Sequence, residues 1–149
     1  MKKVIFGILY WLGQLTWGFL MTLIGLFAAA FCLAFLKGKP HKNGYSFIIE
    51  VGGNWGGVNL GAVSLCGGYT TKCIDYSWFE ETRRHEAGHS LQNLIFGPFF
   101  PFIVAIPSAV RYWLDYFGKL KSGYYDIWFE STATSWGTRY IEKVENSNK

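Results

Sequence analysis

The stretch "RRHEAGHSLQN" (residues 83–93) decides the fold of this chain, because it places two histidines four residues apart within a helical context. On an α-helix, His85 and His89 differ in direction by only about 40° and therefore face the same way. Two imidazoles in this relation can bind one zinc ion at Zn–N distances of about 2.0–2.1 Å. Glu86 lies beside that ion, where its carboxylate can take a proton from a zinc-activated water. The H-E-x-x-H spacing therefore predicts a catalytic metal site.

Start and stop signals predict the bounds of the helix that carries the histidines. Ser77, followed three positions later by Glu80, is typical of an N-terminal capping box. Gly97 and Pro98 predict its end, because glycine takes the left-handed conformation readily and proline cannot continue a helix. We expect a helix over about 78–96.

Two other residues of this helix are predicted to lie on the same face as the histidines. Gly88 costs about 1 kcal/mol relative to alanine in a helix, so we expect a strand or a substrate to approach closely there. Gln92, one turn beyond His89, is a candidate contact to the site or to a substrate.

Catalytic zinc sites usually have three protein ligands, so a third ligand must come from elsewhere in the chain. The residues alone leave four candidates, which are Glu130, Asp126, Asp115 and His41. Glu130 lies between aromatic residues in a predicted final helix over about 124–144, where a buried carboxylate requires a partner.

The N-terminal segment Val4–Leu36 contains 33 residues without a charge. This length exceeds the ~18–20 apolar residues that span a bilayer, and it predicts a transmembrane anchor over residues 1–36, with the span near Thr16–Leu36. Lysines on both flanks leave the orientation open.

Small residues line one face of this predicted span, at Gly18, Thr22, Gly25 and Ala29. Such a stripe lets another helix approach closely, although small residues are also common in membrane helices in general.

Composition supports contact with lipid. Of the 149 residues, 50% are hydrophobic and 19% aromatic, and the 16% that are charged fall below the ~25% typical of soluble domains. The net charge of +4 is too dispersed for a nucleic-acid-binding surface, and we expect no nucleic-acid partner.

The remaining segments complete an α+β fold. Residues 37–44 are rich in helix and strand breakers and predict a linker, and residues 45–149 form the metal-binding domain. Residues 45–65 predict two or three short, glycine-rich strands. Three prolines forbid a regular spanning helix through Leu94–Val110, and a short helix is expected to follow Pro107 and to end at Gly118.

The cysteines leave two alternatives open. Cys66 and Cys73 flank a predicted turn and would form a disulfide in an oxidising compartment, whereas free buried cysteines are equally ordinary.

The combination of "HEAGH" with the downstream Glu130-Ser-Thr-Ala133 and Gly137 resembles the gluzincin metallopeptidases. It is closest to a set of small, membrane-associated bacterial gluzincin-like proteins. The resemblance implies a helical zincin-like core, with His85, His89 and Glu130 as ligands of one Zn²⁺ and Glu86 as general base. It also implies that an edge strand within Gly57–Leu65 lies beside a peptide or protein substrate.

The chain departs from the family pattern at Thr134, where gluzincins usually carry an aspartate that orients a ligand histidine. Loss of such a contact typically weakens metal binding or activity by about 10–100-fold. Asp126 is a candidate substitute. Tyr124, Tyr125 and Arg139 are candidate donors to a developing oxyanion.

Three functional hypotheses follow from the sequence. The first is a membrane-anchored zinc metallopeptidase of the bacterial inner membrane. The second is an intramembrane protease that takes Asp115 as its third ligand, although charges on the histidine helix disfavour a buried site. The third is a catalytically weak or inactive membrane interaction protein that zinc holds together.

Overall fold

The computed structural model describes residues 2–147 and shows an α+β fold. Its α-helices are α1 (Lys2–Thr16), α2 (Phe19–Phe35), α3 (Tyr76–Phe96), α4 (Ile106–Tyr116) and α5 (Trp128–Asn146). Its strands are β1 (Lys39–Asn43), β2 (Ser46–Glu50), β3 (Gly57–Leu60) and β4 (Val63–Cys66). Short 3-10 turns at Gly97–Phe99 and Tyr124–Asp126 and a π-helical turn at Pro101–Ala105 connect the later helices.

The four strands form one mixed sheet in the order β1-β2-β4-β3. Strands β2 and β4 are parallel, and the two outer pairs are antiparallel. Strand β3 is therefore an edge strand, and it packs against α3, the helix that carries the two histidines. The sheet thus places one strand edge beside the predicted metal site.

The predicted linker over residues 37–44 is wrong, because most of it forms β1. Lys39–Asn43 pairs with Ser46–Glu50 across a tight turn in which Gly44 has a φ of +67°. The segment has the polar composition of an outer strand, and an edge position also tolerates Pro40. Composition alone does not separate such a strand from a linker.

The single N-terminal helix is also a wrong prediction. The helix is interrupted at Trp17 and Gly18, which separate α1 from α2, and the chain bends by 98° between the two helices. The Gly18 carbonyl accepts a hydrogen bond from Asn93 Nδ2 at 3.1 Å, so the break is fixed to α3.

Within residues 2–147, none of the helices taken singly combines the length and the apolar character needed to cross a bilayer. Two bent pairs reach that length and composition only in combination. They are Lys3–Thr16 with Phe19–Phe35, and Tyr76–Phe99 with Pro101–Tyr116.

A buried polar junction joins both N-terminal helices to α3. Gln14 Nε2 donates to the Ser90 carbonyl at 3.0 Å, and Gln14 Oε1 accepts from Asn93 Nδ2 at 2.6 Å. Thr22 Oγ1 donates to the same Gln14 oxygen at 2.9 Å. These side chains are fully buried, so each hydrogen bond replaces one that water would otherwise provide.

Replacing Gln14 is expected to destabilise this junction. In Gln14→Ala, two buried donors lose their acceptor, and the free energy of unfolding should fall by about 2–3 kcal/mol. Thermal unfolding of the purified protein measures this change. Thr16→Ala is the matched control, since the Thr16 hydroxyl is exposed and bonds only to Leu12 of its own helix. Equal midpoints for the two variants would contradict the junction's role.

The small-residue stripe of α2 packs closely, but against this chain's own β-sheet. A Cβ added at Gly25 would overlap the Leu60 carbonyl, and the Ala62 amide donates to Thr22 Oγ1 at 3.2 Å. Thr22, Gly25 and Ala29 are buried. The structure therefore assigns this face to internal packing with the β3–β4 turn, and not to a helix partner.

Helix α3 begins two residues earlier than predicted. Its N-cap is Asp75, whose carboxylate accepts from the Trp78 amide at 2.8 Å, and Ser77 donates to that same carboxylate. Aspartate combines a capping oxygen with the negative charge that a helix N-terminus favours, so Ser77 is not the cap. The predicted end at Phe96 is confirmed, with Gly97 at a φ of +53°.

The proline-rich segment interrupts regular helix, as predicted. Helix α4 then begins at Ile106, with Pro107 in its first turn, and ends just before Gly118. The final helix begins at Trp128 and not at 124, because Tyr124–Asp126 forms a separate 3-10 turn.

The three cysteines are free, and the Cys66–Cys73 disulfide does not form. Cys66 is fully buried, and burial raises its pKa to about 12, with the nearby Glu50 and Glu86 carboxylates adding to the shift. Cys66 is therefore a protonated core residue at neutral pH.

Candidate metal centre

The candidate metal centre lies at the crossing of α3 and α5. A Cβ added at Gly88 would overlap the Ala133 carbonyl, and one added at Gly137 would overlap the Arg84 carbonyl. These two glycines let the helix backbones touch, which brings Glu130 of α5 over the histidines of α3. We predicted a strand or substrate against Gly88; the neighbour is α5.

Three ligand atoms converge at this crossing. His85 Nε2 lies 3.0 Å from His89 Nε2 and 3.0 Å from Glu130 Oε2, and His89 Nε2 lies 3.4 Å from the same carboxylate oxygen. A tetrahedral ion with bonds of about 2.0–2.1 Å holds its ligand atoms roughly 3.3–3.4 Å apart. The triangle is therefore of the right size for one zinc ion. No other group of three such ligands forms among the described residues.

Hydrogen bonds at the far side of each ring fix which nitrogen faces the centre. Thr134 Oγ1 donates to the Glu130 carbonyl, so it accepts from His85 Nδ1 at 2.9 Å. Gln92 uses its amide nitrogen on the Phe129 carbonyl, so its oxygen accepts from His89 Nδ1 at 2.7 Å. These hydrogen bonds place the proton of each neutral imidazole on Nδ1, so both Nε2 lone pairs point toward the centre.

The centre offers three ligand atoms that could bind a cation. The Nε2 atoms of His85 and His89 lie 3.0 and 3.4 Å from Glu130 Oε2, and Glu130 Oε1 is buried without a hydrogen-bond partner. Glu130 is fully buried. Burial alone would raise its pKa, but the imidazoles, when they carry a proton on Nε2, hold that pKa below its ordinary value. A divalent ion would satisfy all three groups at once.

Glu86 lies beside this triad and next to the edge strand. Its side chain packs on Gly57 of β3, where an added Cβ would lie 2.7 Å from Glu86 Oε1. The other oxygen, Oε2, is buried without a hydrogen-bond partner. Burial raises the pKa of Glu86, and the neighbouring histidines only partly offset this effect. A carboxylate in this position is poised to accept a proton from a water at the centre.

A cavity of about 610 Å³, lined by residues of β3 and α4, opens in front of the centre. Tyr124 and Tyr125 line it; the Tyr125 ring lies 5.3 Å from that of His85, and the Tyr124 hydroxyl pairs with Ser108 at 3.2 Å. Both tyrosines remain candidate donors to a bound substrate. The edge strand within Gly57–Leu65 is β3, which borders the cavity as the resemblance implied.

Four other candidates lie away from the centre. His41 pairs with Glu50 at 3.0 Å, and the Asp126 carboxylate accepts from the Gly123 amide within its own turn. Arg139 is exposed, and nine residues of helix separate it from Glu130, which places it on the opposite face of α5. Asp115 lines the cavity but does not belong to the ligand group.

Several site residues were missed by the sequence analysis. Asn59 Nδ2 donates to the Glu86 carbonyl at 3.1 Å and so fastens β3 to the histidine helix. Trp55, Trp78 and Ser108 line the cavity. No local motif marks these residues, and only the strand and helix packing brings them to the site.

Removing either of the side chains that accept a hydrogen bond from a ligand histidine is expected to weaken zinc binding. Gln92→Ala and Thr134→Val each leave one imidazole without the acceptor that fixes its orientation, and zinc affinity should fall by about 10–100-fold. Competition with a chelating dye measures this affinity. Thr138→Val is the control, because the Thr138 hydroxyl bonds only to a backbone carbonyl one turn away. Unchanged affinity in both test variants would contradict the assigned contacts.

No protein-family model, curated protein or solved structure matches this chain. The function must therefore be argued from the site itself.

Proposed function

We propose that this protein is a membrane-associated, zinc-dependent metallopeptidase. The observation that carries the proposal is the convergence of His85 Nε2, His89 Nε2 and Glu130 Oε2 within 3.0–3.4 Å of one another, with the buried Glu86 alongside. Three protein ligands are the number typical of catalytic zinc, which leaves a fourth position for chemistry.

When bound, zinc would supply a Lewis acid that activates water and polarises a substrate carbonyl. Glu86 would take the proton from the attacking water and return it to the leaving amine. Its unpaired Oε2 and its burial suit a group that carries a proton between two steps. Thr134 and Gln92 would hold both imidazoles in the tautomer that leaves Nε2 free.

Thr134 bears directly on the departure from the gluzincin pattern. Its hydroxyl makes the contact to His85 that an aspartate makes in that family, but it is neutral. The orientation of the imidazole is therefore retained, while the added basicity that a carboxylate gives a ligand histidine is not. This supports an active hydrolase with modest turnover.

Association with a bilayer is the second part of the proposal. Helices α1 and α2 expose many large apolar side chains, among them Phe6, Leu9, Leu12, Phe27 and Phe35. Large exposed apolar surfaces on a protein mark sites of contact with a membrane or a partner. If α1 and α2 contact lipid, the protein should stay with membranes through alkaline extraction; release into the soluble fraction would contradict this part.

Chelation and reconstitution test the proposed activity. The purified protein in detergent should cut an unstructured protein such as casein, lose that activity with 1,10-phenanthroline, and regain it with one equivalent of zinc. Cleavage that resists the chelator would contradict a metal mechanism. If the chelator unfolds the protein and no substrate is cut, zinc is structural and the protein is an interaction module.

A further inference from the structure

The cavity in front of the metal centre is walled by aromatic side chains from three separate parts of the chain. Trp55 precedes β3, Trp78 lies in the first turn of α3, and Trp113 lies in α4. Indole rings offer large apolar area at a low cost in side-chain entropy, and they are frequent in sites that bind other large apolar groups.

Helix α4 forms one wall of the cavity, and its lining residues change from small to aromatic along the helix. Ala105 just before the helix, and then Ser108 and Ala109, line the cavity in succession, and Tyr112 and Trp113 follow one turn later. This is the i, i+3, i+4, i+7, i+8 spacing of a single helix face. The small residues leave space for a chain, and the aromatic pair narrows that space one turn further along.

Charge is nearly absent from this cavity. Among the described residues that line it, none is lysine or arginine. The acidic lining residues are the proposed base Glu86 and Asp115, and Asp115 is exposed to solvent. A substrate carboxylate at the residues flanking the cut bond would therefore lose water without gaining a basic side chain as partner. Asp115 is in contact with water, so solvent and salt screen its charge and it attracts a substrate amine only weakly.

We propose that the cleft selects internal peptide segments with large uncharged residues, aromatic or aliphatic, next to the bond that is cut. This inference rests on the proposed metallopeptidase function and names its substrate class. Trp113 is a selecting side chain. Acidic side chains and free carboxyl termini are disfavoured, because no lysine or arginine among the described lining residues pairs with them.

The test compares quenched fluorescent peptides that are blocked at both ends and differ only at the residues flanking the central bond. With wild-type protein, kcat/KM should be at least about tenfold higher for Phe or Leu at these positions than for Asp or Glu. Trp113→Ala should lower kcat/KM for the Phe peptide by about tenfold and leave an Ala peptide nearly unchanged. The control is Tyr116→Ala, since Tyr116 is an exposed aromatic residue of the same helix outside the cavity lining.

A binding measurement separates failure of this inference from failure of the proposed function. Calorimetry on the zinc-loaded Glu86→Gln protein should show that the Phe peptide binds at least about tenfold more tightly than the Glu peptide, whether or not the wild type cuts either. Tighter binding with no cleavage would overturn the hydrolase and retain the selectivity. Preference for acidic peptides, dependence on a free terminus, or equal effects of Trp113→Ala and Tyr116→Ala would overturn the selectivity.

Discussion

Glu86→Gln is expected to abolish peptide hydrolysis while zinc stays bound. Glutamine keeps the size of the side chain and its position against Gly57, but it cannot accept a proton from water at neutral pH. General-base catalysis typically contributes 10²–10⁴-fold, so we expect kcat to fall by at least about a thousandfold. The measurement is the initial rate of peptide cleavage, with zinc content determined on the same samples.

The matched control for this experiment is Glu81→Gln. Glu81 belongs to the same helix, carries the same charge and is exposed. It should retain wild-type activity and wild-type zinc content. If Glu86→Gln cuts peptides as fast as Glu81→Gln does, Glu86 is not the base, and the proposed mechanism fails even when zinc is present.

Gly88→Ala is expected to destabilise the protein and to weaken its metal site, although alanine is normally the better helix residue. Alanine is favoured over glycine by about 1 kcal/mol in a helix interior. At Gly88, however, the new methyl group would overlap the backbone carbonyl of Ala133, which has no flexible end that can move aside. Overpacking of this kind costs about 1–3 kcal/mol. After the gain in helix propensity is subtracted, we expect the free energy of unfolding to fall by up to about 2 kcal/mol.

The same substitution should push α5 away from α3 and so withdraw Glu130 from the two histidines. Zinc affinity is then expected to fall by about 10–100-fold, the loss also expected when the residue that orients a ligand histidine is removed. Chelator competition and thermal unfolding measure the two effects. Gly56→Ala is the control, because a Cβ there meets nothing within 4 Å. A stabilised Gly88→Ala protein would show that the helices do not touch at this point.

The local chemistry of the site was readable from the sequence. His85, Glu86, His89 and Gln92 share one helix, so their relative directions follow from the helical repeat alone. The E-x-x-A pattern and the aromatic neighbours of Glu130 predict it as the third ligand, and in the structure its carboxylate lies 3.0 Å from His85 Nε2. The residue type alone predicts that Thr134 cannot replace the family's aspartate. Its hydroxyl nevertheless accepts a hydrogen bond from His85 Nδ1, a contact that depends on how α3 and α5 cross.

What depended on long-range packing could not be predicted. The break at Gly18 is fixed by Asn93, a residue 75 positions away, and no local signal separates it from a glycine inside a straight helix. Strand β1 is polar because it lies at an edge, a position that only the order of the strands in the sheet reveals. Each of these errors concerns where two distant segments meet.

The most direct test is the zinc content of the wild-type protein and of Glu130→Ala, measured after dialysis against buffer with trace zinc. We expect one zinc per chain in the wild type and in Asp115→Ala, and nearly none in Glu130→Ala. Full zinc content in Glu130→Ala, or its loss in Asp115→Ala instead, would contradict the His85, His89 and Glu130 centre.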